Sequence, residues 1–390
     1  MAQLLLLQRA AQVLTLRGPV GVRRGAALDD LGIIPDGSVL IRDGKIVSVG
    51  PARRIENLKE ARGAIEISAE GAIVMPGFVD PGLHLSLHYK NGGAAKRRRM
   101  ADFSDESLGL MRACLQHGTL NALIKANCGT GDLRSDFSVL RQLAEIGDNP
   151  VGMVRSWRII EPVASEPGAP GELEDLVGML AERKLAQFLE VMPDSSEAFR
   201  VCVWEAAAKR RIRTNLLWPG GPTELLEQLL SRANPHTVWC PYALSEQECA
   251  LIAESRTIAV FSPNGELLDG SAVDSVRKLA ASEAAIALSS GYNASDTLSF
   301  NMQMVISLAV LRLRLTVEQA ITAATINAAH ALGRGGDIGT IEVGKRADLV
   351  VLNIPDYREI PRRLGINHVA MAIRDGNIVF NRVRSKAIAG

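Results

Sequence analysis

The side chains best suited to metal chemistry are two histidines, His84 and His88, and five cysteines scattered along a chain of 390 residues. A His-x3-His pair binds a metal well only on a helix, where both rings share one face. Here the pair follows a predicted strand end and Gly82, so His88 is better interpreted as a loop residue. The cysteines form no C-x-x-C pair, which a zinc ribbon or a disulfide framework would need. Spacing alone therefore specifies no metal centre, and reduced thiols are expected.

Positive charge is concentrated in one short run, residues 96–99, within a chain that is otherwise neutral. The sequence has 44 Lys and Arg against 43 Asp and Glu, a formal net charge of +1. Nucleic-acid binding needs a basic field over a whole face, so no nucleic-acid partner is expected. No apolar run approaches the ~20 residues of a membrane span, and the N-terminal LLLL is shorter than a signal sequence requires. We therefore expect a cytoplasmic protein that does not bind membranes.

The elements that must position any site begin with two predicted β-hairpins, one near each end of the chain. Residues 38–47 and 369–379 each contain two β-rich runs joined by Asp-Gly. That dipeptide is typical of a type I′ turn, in which both central residues need a positive φ. A further β-like run covers residues 347–352. The two ends are expected to form one small β domain, made from residues 1–70 and 334–390.

Between these ends, residues 71–333 alternate short apolar runs with helical patterns. The runs at 72–75, 119–124, 152–154, 258–261 and 284–288 predict buried strands, and those at 108–116, 136–145, 223–230 and 316–332 predict helices. The last helix has a capping box, Thr316 with Gln319, and Gly333 just beyond its end. Alternation of strands and helices over ~250 residues indicates an α/β fold of the (β/α)8 TIM-barrel class.

Several motifs resemble the amidohydrolase superfamily. The segment VMPGFVDPGLH at 74–84 resembles its first barrel strand, and GTIEVGKRADLV at 339–350 resembles its C-terminal signature. Within the superfamily the likeness is greatest to imidazolonepropionases, through NMQMVISLA at 301–309 and AITAATINAA at 320–329. The resemblance covers essentially the whole chain. It implies a (β/α)8 barrel with a small composite β-sandwich built from both terminal segments.

The resemblance also implies where a metal site would lie. In the superfamily, two His at the end of strand 1, two His from later strands and an Asp after strand 8 hold a divalent metal. The corresponding residues here are Gly82, His84, Leu217, Cys240 and Gly291. Only His84 retains the family's ligand, whereas a metal that activates water needs at least three protein ligands. The resemblance therefore implies a barrel without the family's metal, and without the Asp that would act as a base.

Three kinds of function stay open at this point. The chain can be a pseudoenzyme, catalytically inactive or strongly altered, with no metal cofactor. It can instead be an active hydrolase of cyclic amide C–N bonds, with one Zn or Fe at His84 and Cys240 and a third, unrecognised ligand. It can also be a purely structural subunit. Gly291 discriminates between the first two, because loss of that Asp removes a ligand and a base together, and it favours the pseudoenzyme.

The pseudoenzyme is expected to bind either a small anionic molecule or a protein partner, and the resemblance implies further pocket residues. Lys125 matches a Lys at the end of the family's second strand, and Glu161 aligns with a substrate-contacting His. Arg97, Arg98 and Arg99 lie in a segment that contacts substrate in imidazolonepropionases, and Arg prefers carboxylates. Trp218, like Trp239, flanks a lost ligand position as a pocket wall or a packing residue. The resemblance also suggests a homodimer, or pairing with a related amidohydrolase.

Overall fold

A computed structural model of the chain describes residues 4–91, 94–130, 132–148, 150–161, 169–192, 194–264, 272–293 and 299–382. The strands in these ranges are β1 Leu4–Leu14, β2 Ile33–Arg42, β3 Lys45–Pro51, β4 Ile65–Ser68, β5 Ile73–Pro76, β6 Phe78–Ser86, β7 His88–Asn91, β8 Ala94–Arg97, β9 Thr119–Asn127, β10 Gly152–Ile159, β11 Phe188–Val191, β12 Arg213–Leu217, β13 Thr237–Trp239, β14 Ile258–Phe261, β15 Ala285–Leu288, β16 Leu349–Leu352, β17 Val369–Arg374 and β18 Asn377–Asn381.

The helices are α1 Ala52–Ile55, α2 Met100–Gln116, α3 Leu133–Ile146, α4 Ala169–Glu182, α5 Glu197–Lys209, α6 Thr223–Ala233, α7 Glu246–Glu254, α8 Val273–Ala281, α9 Met302–Leu311, α10 Val317–Ala323 and α11 Ile326–Ala331, with short 3₁₀ turns at Gly25–Asp29, Lys59–Ala61 and Tyr357–Glu359. Within the described ranges, no helix has both the length and the hydrophobicity needed to cross a bilayer.

Side-chain caps set the start of several helices. Asp132 accepts hydrogen bonds from the backbone N–H groups of Arg134 and Ser135 at the start of α3. Ser245 forms a complete capping box at the start of α7, and the predicted box of Thr316 with Gln319 starts α10. These oxygens satisfy backbone donors that have no partner inside the helix, so the sequence defines where each helix begins.

The central region forms the predicted barrel. Eight parallel strands follow one another in the order β6, β9, β10, β11, β12, β13, β14 and β15, and helices α2 to α8 connect them on the outside. Apolar side chains of alternate positions, among them Val79, Leu123, Phe188 and Ile258, fill the interior, and α11 packs against them from one end. This confirms the fold class, because a parallel sheet needs such a crossover helix between neighbouring strands.

A buried carboxylate joins the first barrel strand to the last. Asp80 on β6 accepts hydrogen bonds from Ser289 Oγ at 2.6 Å, from the backbone N–H of Ser290 at 3.2 Å and from that of Gly82 at 3.1 Å. Ser290 Oγ also donates to it. Burial raises the pKa of Asp80, and the four donors act against that rise. The barrel therefore closes through side-chain bonds where the backbone pairing between β6 and β15 is sparse.

The two ends of the chain share a second sheet, as the hairpin pattern predicted. Its strands run in the order β18, β17, β16, β5, β1, β2 and β3, with β4 paired to β1. Both Asp-Gly turns have positive φ at each central residue, 49° and 79° at Asp43 and Gly44, and 51° and 72° at Asp375 and Gly376. The turns touch, since a Cβ on Gly376 would lie 2.7 Å from the Cα of Gly44. Glycine is therefore favoured at positions 44 and 376 for two reasons, the positive φ and the close approach of the two turns.

Two predictions about elements were wrong. The run at 72–75 was expected in the barrel region, but β5 pairs with β1 and β16 of the terminal sheet. The chain passes from one sheet to the other at Gly77, where a Cβ would meet Leu120 at 2.3 Å. The helix predicted over 316–332 is two helices. The carbonyl of Ala324 accepts a hydrogen bond from the N–H of Val79, and Thr325 leaves the helical conformation.

Replacing Asp80 by Ala should weaken the barrel more than any surface carboxylate replacement. The substitution leaves two buried hydroxyls and two backbone N–H groups without their acceptor, and the free energy of unfolding should fall by at least about 3 kcal/mol. Urea denaturation of wild type and Asp80→Ala measures the change. Asp102→Ala is the matched control, because Asp102 forms only an exposed ion pair with Arg99. Equal stability of the two variants would contradict this account of barrel closure.

Candidate functional site

The indole ring of Trp239 fills the space between the ends of the first and last barrel strands. A Cβ on Gly82 would lie 2.3 Å from Cζ3 of that ring, and a Cβ on Gly291 would lie 2.2 Å from Ser262 Oγ and 3.6 Å from Cζ2 of Trp239. Separations below 3.0 Å are not tolerated by a real Cβ. A His at position 82 or an Asp at position 291 would therefore require rearrangement of Trp239 or Ser262.

A compact group of charges lies against the same ring. Lys125, at the end of β9, places Nζ 2.7 Å from Glu190 Oε2 and 4.1 Å from the ring centre of Trp239. Arg158 on β10 donates from Nε to Glu190 Oε1 at 2.5 Å. The side chain of Glu190 is fully buried, that of Lys125 is 4% exposed and that of Arg158 is 16% exposed. We call Lys125, Arg158 and Glu190 the charge cluster.

The charge cluster carries one more positive than negative charge. Burial alone would raise the pKa of Glu190, but Arg158 and Lys125 outweigh it and lower that pKa to about 2. Burial lowers the pKa of Lys125 to about 8, with Glu190 acting against that change and Arg158 adding to it. Below that pH two cations share one carboxylate in a buried place, which is costly unless another anion completes the pairing.

His84 lies beside the charge cluster as a neutral imidazole. In the pairing of β6 with β9, His84 is in register with Lys125. Burial, followed by repulsion from Arg158, lowers the pKa of His84 to about 3. Its Nε2 is buried, and no described residue gives it a hydrogen bond of normal geometry. His84 is therefore a neutral hydrogen-bonding group, with Asn127 as its polar neighbour.

The structure places Cys240 and Trp218 on the outside of the barrel wall. Cys240 is buried, with its Sγ 3.8 Å from the Val238 carbonyl oxygen, and burial, Cys249 and Glu248 raise the pKa of its thiol. Trp218 Nε1 donates to Glu248 Oε1 at 2.7 Å. Neighbouring residues of a strand face opposite sides, so the inward side chain of Trp239 turns Cys240 outward. The structure therefore does not bring the Cys240 thiol to His84, and of the two interpretations of Trp218 it favours a packing residue over a pocket wall.

The other predicted site residues fall into two groups. Leu217 pairs in register with Trp239 and is partly exposed, so it lies at the same end of the barrel. Glu161 instead accepts hydrogen bonds from the N–H and Oγ of Ser196 at 2.6 and 2.7 Å, and so supports the start of α5. The structure gives Glu161 a structural contact and no place in the charge cluster.

The basic run does not converge on one point. Arg98 forms an ion pair with Glu106 and donates to the Ser86 carbonyl oxygen at 3.0 Å. Arg99 binds Asp102 through two hydrogen bonds of 2.8 and 2.7 Å. Arg97 is exposed on β8. Two of the three guanidinium groups therefore already bind carboxylates of α2, and the cations that meet inside the barrel are Lys125 and Arg158.

The residues at the family's metal position do not fit a metal ion. Glycine and leucine offer no donor side chain at 82, 217 and 291, and Cys240 faces the helices. In the ranges that the structure describes, no three His, Cys, Asp or Glu side chains converge to hold one. The single donor, His84 Nε2, falls short of the three that a metal activating water requires.

Sequence reasoning missed Arg158 and Glu190. Glu190 is the one charged residue in the buried strand Phe-Leu-Glu-Val at 188–191, and a charge inside such a run is a usable signal. Arg158 alternates with Ser156 and Val154, of which Val154 packs inside the barrel. That period of two would have placed the Arg158 side chain on the inner face. The pattern could not predict that side chains from three different strands, those of the charge cluster, come into contact.

Sequence comparisons relate the chain to known enzymes over nearly its full length. The pattern of the "Amidohydrolase family" matches residues 230–379. Imidazolonepropionase from Alkaliphilus metalliredigens is 27% identical over 422 aligned positions, which cover 97% of this chain and 98% of the relative. The enzyme of the same name from Parabacteroides distasonis is 28% identical, over 96% of this chain and 98% of the relative.

Solved structures share the fold at lower identity. A triazine hydrolase variant superposes with a TM-score of 0.76 at 14% identity, covering 99% of both chains. Guanine deaminase from E. coli gives a TM-score of 0.73 at 17% identity, covering 97% of this chain and 100% of the deaminase. The matched family pattern and the full-length relatives make this chain similar to amidohydrolases, and the solved structures show that it shares their fold.

Proposed function

We propose that this chain is a catalytically inactive or strongly altered imidazolonepropionase-like protein that binds a small anionic ligand at the carboxyl end of its barrel. The observation that carries the proposal is the position of Trp239, whose ring fills the space beside Gly82 and Gly291. In the resemblance, those two positions would bear metal-binding side chains. An indole in that space supports a site in which the family's ligand set is not assembled.

The proton-accepting groups near the site also favour binding over hydrolysis. A general base works best when its pKa lies near the working pH. The pKa of Glu190 is about 2 and that of His84 about 3, so both are weak bases at neutral pH. Hydrolysis of a cyclic amide requires activation of a water molecule. These two side chains are poor general bases for that step.

The charge cluster indicates what kind of molecule would bind. Lys125 and Arg158 share the single carboxylate of Glu190, and Arg158 remains partly exposed. A carboxylate from a ligand would pair with that guanidinium and balance the buried charge. Leu217 and the edge of Trp239 offer an apolar surface at the same end. The expected ligand is compact, with one anionic group and an apolar body.

The alternative is an active hydrolase with one Zn or Fe bound by His84 and Cys240. Cys240 packs towards Cys249 and Glu248 of α7, so its thiol would have to turn into the barrel to meet His84. In the described ranges, the hydrogen-bonding contact of the Cys240 thiol is with the Val238 carbonyl oxygen, which does not favour such a turn. The metal content of the purified protein separates the two functions directly.

Purified without chelator, the protein should contain well under one equivalent of zinc, iron and manganese by elemental analysis. The reason is the donor set, because Gly82, Leu217 and Gly291 supply no ligand atoms. Chelator should likewise leave the thermal midpoint unchanged, since no ion that binds only the folded state would be removed. One equivalent of metal retained through dialysis, and released in Cys240→Ser, would establish the alternative.

Small carboxylates such as propionate should raise the thermal midpoint, and Arg158→Gln should abolish that rise. Binding to the folded state alone adds about 2.7 kcal/mol at a ligand concentration of 100 Kd. Because Arg158 and Lys125 are largely buried, the rise should persist at high salt, whereas exposed charge pairs are screened.

The triple variant Arg97→Ala, Arg98→Ala, Arg99→Ala is the matched control for this prediction. It removes more positive charge than Arg158→Gln, but from the surface segment outside the charge cluster. The thermal shift with propionate should survive in the triple variant. A shift that is lost in the triple variant and retained in Arg158→Gln would move the anion site to the surface segment.

A further inference from the structure

We propose that the ligand of this site carries a neutral O–H or N–H group close to its carboxylate, and that His84 and Asn127 hydrogen-bond this group. The inference rests on the proposed anion site and specifies the chemical class of its ligand. Hydroxy acids and N-acyl amino acids both belong to that class. His84 thereby becomes a specificity-determining residue at a position where the superfamily has a metal ligand.

The first observation is a group of buried polar atoms without partners at the ends of β6 and β9. His84 Nε2, Ser86 Oγ and Asn127 Oδ1 are all buried, and no described residue forms a hydrogen bond of normal geometry with them. Ser86 and Asn127 pair in register, as do His84 and Lys125. Buried polar atoms of native proteins are nearly always hydrogen-bonded. His84 and Asn127 are within reach of each other, but their contact and the unpaired Ser86 Oγ leave hydrogen-bonding capacity for a polar occupant.

The second observation is that the unpaired atoms and the unbalanced charge are adjacent. Arg158 has the largest effect of any charged group on His84, and Asn127 is the polar side chain that interacts with the imidazole. Lys125 lies one strand away from His84 and contacts Glu190 and Trp239. One small molecule can therefore place an anionic group at the charge cluster and a hydrogen-bonding group at His84 and Asn127.

The charge of the surroundings decides that the second group is neutral. An ammonium group there would add a third cation next to Lys125 and Arg158, whose charges Glu190 and, with a smaller effect on Lys125, Asp80 balance. A hydroxyl or an amide N–H carries no charge and can donate to Asn127 Oδ1 or exchange a hydrogen bond with the neutral His84. Amino acids are therefore disfavoured, whereas hydroxy acids and N-acyl amino acids satisfy both parts of the site.

Two pairs of matched acids test this inference by calorimetric titration of the wild-type protein. Lactate and propionate differ by one hydroxyl group, and N-acetylglycine and levulinate differ by an N–H in place of a CH₂. Each donor-bearing acid should bind at least about tenfold more tightly than its partner, because a buried acceptor is left unpaired by the analogue. The first pair reports on hydroxy acids and the second on N-acyl amino acids. Alanine, which carries an ammonium group, should bind more weakly than lactate.

Variants then assign the preference to named side chains. His84→Phe keeps the ring and removes its nitrogens, so the lactate preference should disappear while propionate still binds. Asn127→Leu should reduce the preference independently, which keeps the test decisive if His84→Phe does not fold. His117→Phe is the control. That imidazole contacts the Ala113 carbonyl oxygen and Phe300 just before β9, at the opposite end of the barrel, and its loss should leave the preference unchanged.

The outcomes separate this inference from the proposed function. If propionate binds and neither donor-bearing acid binds more tightly than its partner, the inference is wrong and the anion site stands; His84 and Asn127 would then bond each other. A preference that survives both His84→Phe and Asn127→Leu, or alanine binding more tightly than lactate, also overturns it. If none of the acids binds, the proposed function itself fails.

Discussion

The contacts of Trp239 beside Gly82 and of Ser262 beside Gly291 restrict which side chains the carboxyl end of this barrel can hold. Protein interiors leave few voids, so a ring as large as indole leaves little space for another side chain beside it. Strands 1 and 8 therefore present backbone where the superfamily presents ligands. The charged side chains that remain come from the second, third and fourth strands, and Lys125 packs on the face of the same ring.

The positive charge at this end of the barrel comes from organic cations. Lys125 and Arg158 provide the positive charge, and Glu190 holds both at 2.7 and 2.5 Å. A metal can lower the pKa of a bound water, whereas an ammonium group has no coordination position to offer one. What an ammonium and a guanidinium can do is pair with an anion, and the guanidinium fork suits a carboxylate. The charge cluster by itself is therefore better suited to pairing with an anion than to activating a water molecule.

Local sequence rules were sufficient to predict most helices, strands and turns, but they were less successful for the candidate site. The Asp-Gly turns, the capping box at Thr316 and the alternation of strands and helices have causes within a few residues, so the sequence predicts them. The sheet to which β5 belongs, and the break between α10 and α11, depend on contacts with Leu120 and Val79, which are distant in sequence. For the same reason Cys240 was assigned to the wrong face, because the inward position of Trp239 on the same strand is a tertiary fact.

Packing at the barrel mouth couples positions 82 and 291 to Trp239 and Ser262. An Asp at position 291 would meet Ser262 Oγ before it reached a metal, and a His at position 82 would meet the ring of Trp239. Removing Trp239 alone would take the aromatic face from Lys125 and leave a cavity between two glycines, which is destabilising in itself. No single reversal therefore improves metal binding without a cost in packing. Because one fold hosts many activities, the side chains coupled at this end of the barrel are a better guide to its chemistry than the fold around them.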